Sequence, residues 1–152
     1  MIDQINRKIL SILQKNARTS NAEIARQVGM APSAVLERIR KMERSGVIQG
    51  YETRIDPKAL DLGVTAFTKV RVDEAVGSTD MGEQLSAIPG VLEVHYCAGE
   101  DHYLIKVRAS DPEGLAQVLG RIGQHPMAKY TNSTIVLRTV RETISLPLGG
   151  KE

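Results

Sequence analysis

The sequence predicts an α+β protein with a helical first third and a second part in which strands and helices alternate. In residues 1–50, apolar side chains recur at the three- and four-residue spacing of amphipathic helices. Between residues 64 and 143, β-branched runs are separated by two helical runs. Residues 1–50 carry nine basic and four acidic side chains, a net charge of +5, whereas residues 51–152 carry eleven and fourteen, a net charge of −3. This division predicts that only the first part approaches a polyanion.

Three helices are predicted in the first part. The first covers residues 3–16, with Asp3 as its N-cap. Its apolar stripe consists of Ile5, Ile9, Ile12 and Leu13. The second begins at a capping box, in which the Ser20 hydroxyl accepts from the Glu23 N–H and the Glu23 carboxylate reaches back, and it ends at Gly29. The third has Pro32 in its first turn, where no N–H donor is needed. Its buried stripe is Val35, Ile39 and Met42.

The second and third helices, joined by a turn of about four residues, have the arrangement of a helix-turn-helix motif. An α-helix fits the major groove of DNA, where Arg and Lys bond to guanine, and the start of the preceding helix favours a phosphate. The predicted DNA-binding residues are Ser20, Asn21, Pro32, Ser33, Ala34, Glu37, Arg38 and Lys41. For Glu37 and Arg38, the alternative is ion pairing within or between helices.

Short extended segments and a linker follow the third helix. Residues 47–55 are suited to short strands, so we expect a small wing or a hinge strand there. Residues 56–63 are rich in turn-forming side chains and hold the predicted domain boundary. The resulting domains are a DNA-binding domain (1–50), a hinge strand and linker (51–63), a second domain (64–145) and a C-terminal tail (146–152).

The second part has the order strand, helix, strand, strand, helix, strand. The predicted strands cover residues 64–72, 91–98, 103–109 and 131–143. Asp80 or Thr79 caps the first helix, which ends at Pro89-Gly90, and the second starts at Asp111-Pro112. This order is that of a ferredoxin-like βαββαβ fold, with both helices on one face of the sheet. Phe67 and several more apolar residues are expected on the other face, which a second subunit would cover.

Two stretches of the first part carry a resemblance to a known family. Residues 25–30 and 35–48, followed by Gly50-Tyr51 and more loosely by Leu146-Pro147-Leu148, resemble the Lrp/AsnC signature. These feast/famine regulatory proteins are prokaryotic, amino-acid-responsive transcription regulators. The resemblance covers nearly the whole chain and implies a sequence-specific regulator that binds a pseudo-palindromic operator in double-stranded DNA. It also implies sheet-to-sheet homodimers that assemble into tetramers or octamers. Ala31 departs from the family, which usually has Ser before Pro32.

A second resemblance concerns the turn at residues 98–104. It is similar to the family's Gly-Asp-x-Asp-Tyr-Leu segment, where acidic side chains and loop backbone meet a small amino acid. The implied effector-binding residues are Gly99, Glu100, Asp101, His102, Tyr103, Thr131, Ser133 and Thr134. His102 stands where Asp is usual, and Met127-Ala128 replaces the usual Gly. Considered without the resemblance, the segment is an ordinary hairpin turn.

Metal-binding and catalytic sites are not predicted. His95, Cys97 and His102 lack the spacing of zinc ligands, and no base is placed beside Cys97. We therefore expect no metal, no cofactor and no enzymatic activity. One alternative is an enzyme similar to sirohaem decarboxylases, which resemble the family in both domains and use His and Arg around a tetrapyrrole. Another is an architectural DNA-binding protein without an effector.

The cysteine content and the hydropathy pattern predict the compartment. The single Cys cannot form a disulfide within the chain, which suits a reducing environment. No apolar run approaches the ~20 residues of a membrane span. We therefore expect a cytoplasmic protein without membrane association.

Overall fold

The structure is a computed structural model that describes residues 2–149. Residues 2–54 together with residues 142–149 form one compact unit, and Ile55–Arg141 form the other. Residues 150–152, which belong to the predicted C-terminal tail, lie outside the described residues, as does Met1 of the predicted first domain. Among residues 2–149, no helix combines the length and the apolar character that crossing a membrane requires.

The first unit contains the three predicted helices. They are α1 (Gln4–Lys15), α2 (Asn21–Val28) and α3 (Pro32–Arg44). Asp3 Oδ1 accepts from Asn6 N at 2.7 Å, and Ser20 Oγ accepts from Glu23 N at 3.2 Å, which confirms both predicted caps. The second half of the capping box is wrong, because the Glu23 carboxylate accepts from Arg26 and Gln27 instead. Gly29 ends α2 with φ 72°, a left-handed conformation that a residue without Cβ adopts readily.

The core of the first unit is formed where the three helices meet. Its buried members are Ile9, Ile24, Ala25, Val35, Ile39 and Met42. The three α3 residues in this set are the predicted stripe, so their side of the helix is confirmed as the inner side. The opposite side of α3 is therefore free of core contacts.

The predicted wing or hinge strand is wrong for the described chain. No strand lies between α3 and a short 3₁₀ helix at Pro57–Leu60. Val47 N and Ile48 N both donate to Met42 O, so this segment starts by closing the end of α3. The segment that follows contains apolar residues suited to a strand, but a strand also needs a neighbouring strand to bond to, and within residues 2–149 no strand lies beside this segment.

The second unit is an antiparallel sheet with two helices, as predicted. Its elements are β1 (Val64–Val72), α4 (Asp80–Ser86), β2 (Val91–Tyr96), β3 (Tyr103–Ala109), α5 (Pro112–Gly123) and β4 (Ala128–Ile135). The strand order β2-β3-β1-β4 is the ferredoxin-like arrangement. The buried core lies between the sheet and the helices. It includes Ala66, Val70, Met81, Leu85, Ile105, Val107, Leu115 and Ile122.

Two predicted strands of the second unit have the wrong bounds, and the predicted Thr79 cap of the first helix is confirmed in its position only. The last strand covers Ala128–Ile135 rather than residues 131–143, because β1 offers no backbone partner beyond the bond from Val136 N to Thr65 O. The second strand ends at Tyr96 instead of residue 98, where the chain enters the turn. At α4, Thr79 occupies the N-cap position without a side-chain bond, and Asp80 lies inside the first turn.

The sheet face opposite the helices carries both apolar and charged side chains. Phe67 lies on it and is 39% exposed. The register of β1 with β3 places Lys69 beside Leu104 and Phe67 beside Lys106 on that face. We call this surface the open face.

Candidate nucleic-acid interface and effector turn

The outer side of α3 carries most of the predicted DNA-binding residues. Pro32, Ser33, Glu37 and Lys41 are exposed, and Ala34 is half-buried. Arg40 and Arg44 are also exposed on this helix, although the sequence analysis did not select them. Helical geometry, at about 100° per residue, places both opposite the buried stripe. The same spacing rule in the sequence could therefore have found them.

The start of α2 offers a second polar surface. Ser20 is exposed and Asn21 is half-buried at this end of the helix. The first N–H groups of a helix have no partner within the helix, and the helix dipole is positive there. Ser20 satisfies one of these donors by accepting from Glu23 N. The geometry fits an anion such as a DNA phosphate.

Arg38 is held by α1 rather than directed outward. Its Nη1 lies 2.7 Å from Asp3 Oδ2 and 2.9 Å from Asn6 Oδ1. The pKa of Asp3 is lowered, first by the N–H of Asn6 and then by the Arg38 guanidinium. In the absence of DNA the Arg38 side chain thus joins α3 to α1, and its role in reading a base stays a prediction. This is the inter-helix pairing that the sequence analysis left as the alternative.

Glu37 also forms an ion pair, with a partner on its own helix. Arg44 Nη2 lies 2.9 Å from Glu37 Oε1, and the two side chains are 63% and 67% exposed. An ion pair with this exposure contributes little to stability and opens readily. Both side chains therefore remain available to a ligand on the outer side of α3.

The predicted effector turn connects β2 and β3. Cys97 N donates to His102 O at 2.8 Å, and Gly99 has φ 123°, in the region that favours glycine. Val72 N donates to His102 Nδ1 at 3.3 Å, so His102 fastens the turn to the end of β1. This contact gives His102 a structural role at the position where the family usually has Asp.

Two basic side chains of β1 neutralise the acidic side chains of the turn. Arg71 Nη2 lies 3.1 Å from Glu100 Oε2 and 3.5 Å from Asp101 Oδ1. Lys69 Nζ lies 3.9 Å from Asp101 Oδ2. The sequence analysis missed both cations, although their alternation with buried β1 residues predicted the face on which they lie. Their pairing with the turn depends on the strand register, which the sequence did not provide.

The other predicted effector residues do not share one face of the sheet. The register of β4 with β1 places Thr134 beside Phe67 on the open face, whereas Thr131 pairs with the buried Val70. Ser133 lies on the helix side, where its Oγ is 2.8 Å from Thr68 Oγ1. The structure thus brings Glu100 and Asp101 to the open face and directs the side chains of Thr131 and Ser133 to the opposite face.

Tyr103 is buried on the helix side, away from the acidic turn. It is 1% exposed, and its hydroxyl donates to Glu74 Oε2 at 2.8 Å. Burial, together with this bond, raises the pKa of Tyr103 to about 12. A Cβ at Gly82 would lie 2.8 Å from the Tyr103 ring, so glycine is required where α4 crosses the ring. A role for the Tyr103 side chain in direct effector contact is therefore corrected to a structural one.

Glu74 takes over the capping role that Thr79 does not perform. Its Oε1 accepts from Met81 N and from Ser78 Oγ, both at 2.9 Å. Burial alone would raise the pKa of Glu74, but the hydrogen bonds from Met81, Tyr103 and Ser78 outweigh it and lower the pKa. One carboxylate thus joins the first turn of α4 to the start of β3, directly after the effector turn.

The His, Cys, Asp and Glu side chains of residues 2–149 are too dispersed to form a metal site. This part of the chain contains no group of three His, Cys, Asp or Glu side chains that could hold a metal ion. His95 Nε2 lies 3.2 Å from Glu93 Oε2, and Cys97 Sγ lies 3.5 Å from the backbone oxygen of His95. Within this range, these residues fit ordinary polar contacts at a strand end.

A helix-turn-helix unit with an exposed basic helix, joined to a ferredoxin-like unit, defines a two-domain DNA-binding transcription regulator. Residues 2–49 match the family described as winged helix-turn-helix DNA-binding, and residues 65–146 match the Lrp/AsnC ligand-binding domain. The chain therefore belongs to the Lrp/AsnC family, which confirms the resemblance found in the sequence.

Individual relatives cover nearly the whole chain. The protein is 36% identical to the HTH-type transcriptional regulator FL11 of Pyrococcus horikoshii, over 97% of each chain. It is 33% identical to the leucine-responsive regulatory protein of Salmonella typhimurium, over 93% of this chain and 88% of the relative. A Neisseria meningitidis transcriptional regulator, solved as an L-Met complex, superimposes with a TM-score of 0.89 at 30% identity over 97% of both chains. The similarity to these regulators thus extends across both domains of the chain.

Proposed function

We propose that this protein binds a pseudo-palindromic operator as a homodimer and that a small amino acid changes this binding. Residues 1–50 form the DNA-binding domain, and residues 64–145 bind the effector and the second subunit. The observation that carries the proposal is the division of α3 into a buried apolar side and an exposed side with Arg40, Lys41 and Arg44. Two such helices related by a two-fold axis would read half-sites about 10 bp apart, or a multiple of that spacing.

Each part of the helix-turn-helix has a distinct task in this proposal. Ser33, Ala34, Glu37 and Lys41 face the major groove, and Pro32 sets the start of the helix that carries them. Ser20 and Asn21 contact a phosphate at the start of α2. Arg38 fixes the direction of α3 through Asp3 and Asn6.

The effector is proposed to bind at the turn between β2 and β3. The carboxylates of Glu100 and Asp101 fit an ammonium group, and the turn backbone at Gly99 and His102 fits a carboxylate. Thr134 lies on the same sheet face as these acidic groups. The Neisseria relative was solved with L-methionine, which favours an amino acid as the ligand class. The amino acid must have different affinities for the two assembly states in order to shift between them.

The proposed setting is the cytoplasm, with dimers joined into tetramers or octamers. The relatives described above are named as regulators, which favours regulation over an enzymatic activity of the sirohaem decarboxylase kind. An amino acid response would separate the proposed function from the effector-independent architectural alternative.

The DNA part of the proposal is tested by titrating the full chain on labelled genomic fragments at about 50 and 200 mM salt. We expect tight binding to a few fragments that weakens steeply with salt. Because Lys41 faces the major groove in this proposal, Lys41→Ala should weaken binding to the preferred fragments by ~1–3 kcal/mol and relax the preference for them. Lys58→Ala removes an exposed lysine from the second unit and serves as the matched control. Equal, weak binding to every fragment would contradict sequence-specific recognition.

The effector part is tested by repeating the titration with each of the common amino acids. One amino acid or a small group should change the DNA affinity of the wild type, and Asp101→Asn should remove that response. Asp61→Asn is the matched control, because Asp61 is exposed and has φ 56°, a conformation that asparagine also tolerates. A response that persists unchanged in Asp101→Asn would exclude Asp101 from the effector site.

A further inference from the structure

The exposed side of α3 contains one carboxylate among cations. Glu37 lies about 160° around the helix from the buried Val35–Ile39 side, between Arg40 and Lys41. Glu43, the other acidic residue of this fully described helix, lies about 120° from Glu37 around the axis. Glu43 accepts from the Tyr51 hydroxyl at 2.9 Å, so it is tied to the flank of the helix. Glu37 is therefore the acidic group positioned closest to a groove that α3 enters.

A carboxylate in this position opposes DNA binding unless it finds a hydrogen-bond donor. The phosphates repel it, and burial in the groove removes its water. In the free protein Arg44 neutralises Glu37 at 2.9 Å, but both side chains are more than 60% exposed. Arg44 can therefore leave to contact a phosphate, which makes Glu37 available to a base at the same moment.

The edges of the bases differ in what they offer a carboxylate. Cytosine presents its N4 amino group in the major groove between a single acceptor, the O6 of the paired guanine, and a C5–H that has no lone pair. Adenine presents its N6 amino group between two acceptors, its own N7 and the O4 of the paired thymine. A carboxylate is repelled by these acceptors, whereas a glutamine amide can bond to adenine N6 and N7 together. A carboxylate therefore meets one neighbouring acceptor at cytosine and two at adenine, which favours cytosine at this position.

We infer that Glu37 reads a C·G pair in each operator half-site by accepting a hydrogen bond from cytosine N4, with Arg44 moving to the DNA backbone. This inference rests on the proposed function, because it requires α3 to enter the major groove. It adds a base preference that neither the fold nor the family assignment provides. Glu37 would then be a specificity-determining residue rather than a general contact.

The test is selection of binding sites from a random double-stranded library by the full-length wild type, Glu37→Gln, Glu37→Ala and Glu43→Gln. The wild type should select a half-site with one strongly preferred C·G pair. Glu37→Gln should change that preference to A·T, and Glu37→Ala should lose it, with all other positions retained. Glu43→Gln removes the same charge from the same helix and should leave the preferred sequence unchanged.

Affinities for the selected site and for its C·G→A·T variant complete the test. The wild type should prefer the original site by about tenfold, and Glu37→Gln should reverse the order. The inference is overturned if both Glu37 variants select the wild-type sequence with its C·G pair intact, or if the wild type shows no such pair. If no variant enriches any sequence, the proposed DNA reading fails as well. Circular dichroism of each variant verifies that its helices are intact.

Discussion

Removing the Glu74 carboxylate should destabilise the second unit well beyond the cost of an ordinary surface substitution. Glu74 accepts from Ser78 Oγ, Met81 N and Tyr103 Oη at 2.8–2.9 Å. In Glu74→Ala, the Ser78 hydroxyl can turn to water, but the Tyr103 hydroxyl is buried and the Met81 N–H is partly buried. Each buried donor left without an acceptor costs ~1–3 kcal/mol, so we expect a loss of about 2–4 kcal/mol.

A double-mutant cycle with Tyr103→Phe isolates the bond that this estimate depends on. Tyr103→Phe alone removes one hydrogen bond and should cost ~1 kcal/mol. The double variant has no Tyr103 hydroxyl that could be left without an acceptor. Its free energy of unfolding should therefore be ~1–2 kcal/mol higher than the sum of the two single losses predicts. Urea denaturation at a fixed protein concentration measures the four free energies of unfolding, those of the wild type, both single variants and the double variant. Additivity within about 0.5 kcal/mol would refute the proposed coupling.

The Glu74 carboxylate should also make the stability of the folded protein depend on pH in a defined direction. Because the pKa of Glu74 is lowered in the folded protein, its ionised form favours folding. Its contribution is present above the unfolded-state pKa, about 4.3 for Glu, and is lost as the pH falls through the lower folded-state value. Glu74→Gln should therefore lose less stability than the wild type between neutral and acidic pH. Glu83→Gln, on the exposed side of α4, should keep the wild-type profile.

Three further changes test other parts of the account. Ala31→Ser should stabilise the first unit by ~1 kcal/mol, because α3 begins at Ala31 without a side-chain cap; an unchanged or lower thermal midpoint would contradict this. Arg38→Ala and Asp3→Ala should lower the thermal midpoint and operator affinity alike, and a binding loss confined to Arg38→Ala would indicate base contact instead. Arg71→Gln should lower the amino acid concentration that gives a half-maximal response by up to about fivefold, because the ligand ammonium no longer competes with Arg71 for Asp101. A higher half-maximal concentration would contradict this competition.

Local chemistry made the first unit predictable from its sequence. The caps at Asp3 and Ser20 each depend on a residue three positions away, and the end of α2 depends on Gly29 itself. The buried side of α3 follows from the spacing of its apolar residues. Such features require no knowledge of the rest of the fold. They were therefore correct before any tertiary contact was known.

Long-range contacts explain where the sequence analysis failed. Asp3, the ion-pair partner of Arg38, lies 35 residues away at the start of α1. The position of Arg38 on α3 therefore could not show that Asp3 holds its side chain. Residues 136–143 have β-branched side chains, but β1 ends before they could pair with it. The Glu74–Tyr103 bond spans 29 residues and joins two elements that the sequence analysis treated separately. Strand register and tertiary pairing decide all three cases.

The predicted effector residues could be placed only in part from the sequence. The family resemblance identified the turn, but the alternation of β4 places Thr134 on a different face from Thr131 and Ser133. This alternation was already visible in the sequence as a property of any strand. By contrast, the neutralisation of Asp101 by Arg71 required the register of β1 with β3. The position of the turn between β2 and β3 was therefore predictable, whereas the pairing of its acidic side chains was not.

The central claim is that the exposed side of α3 reads DNA and that an amino acid controls this reading. The most direct measurement is a titration of the full chain on a bound genomic fragment at several salt concentrations, with and without the amino acid that gives the largest response. We predict salt-sensitive binding that is orders of magnitude tighter than binding to a scrambled fragment, and a shift in that affinity when the amino acid is added. Equal affinity for both fragments, with no effect of any amino acid, would contradict the account.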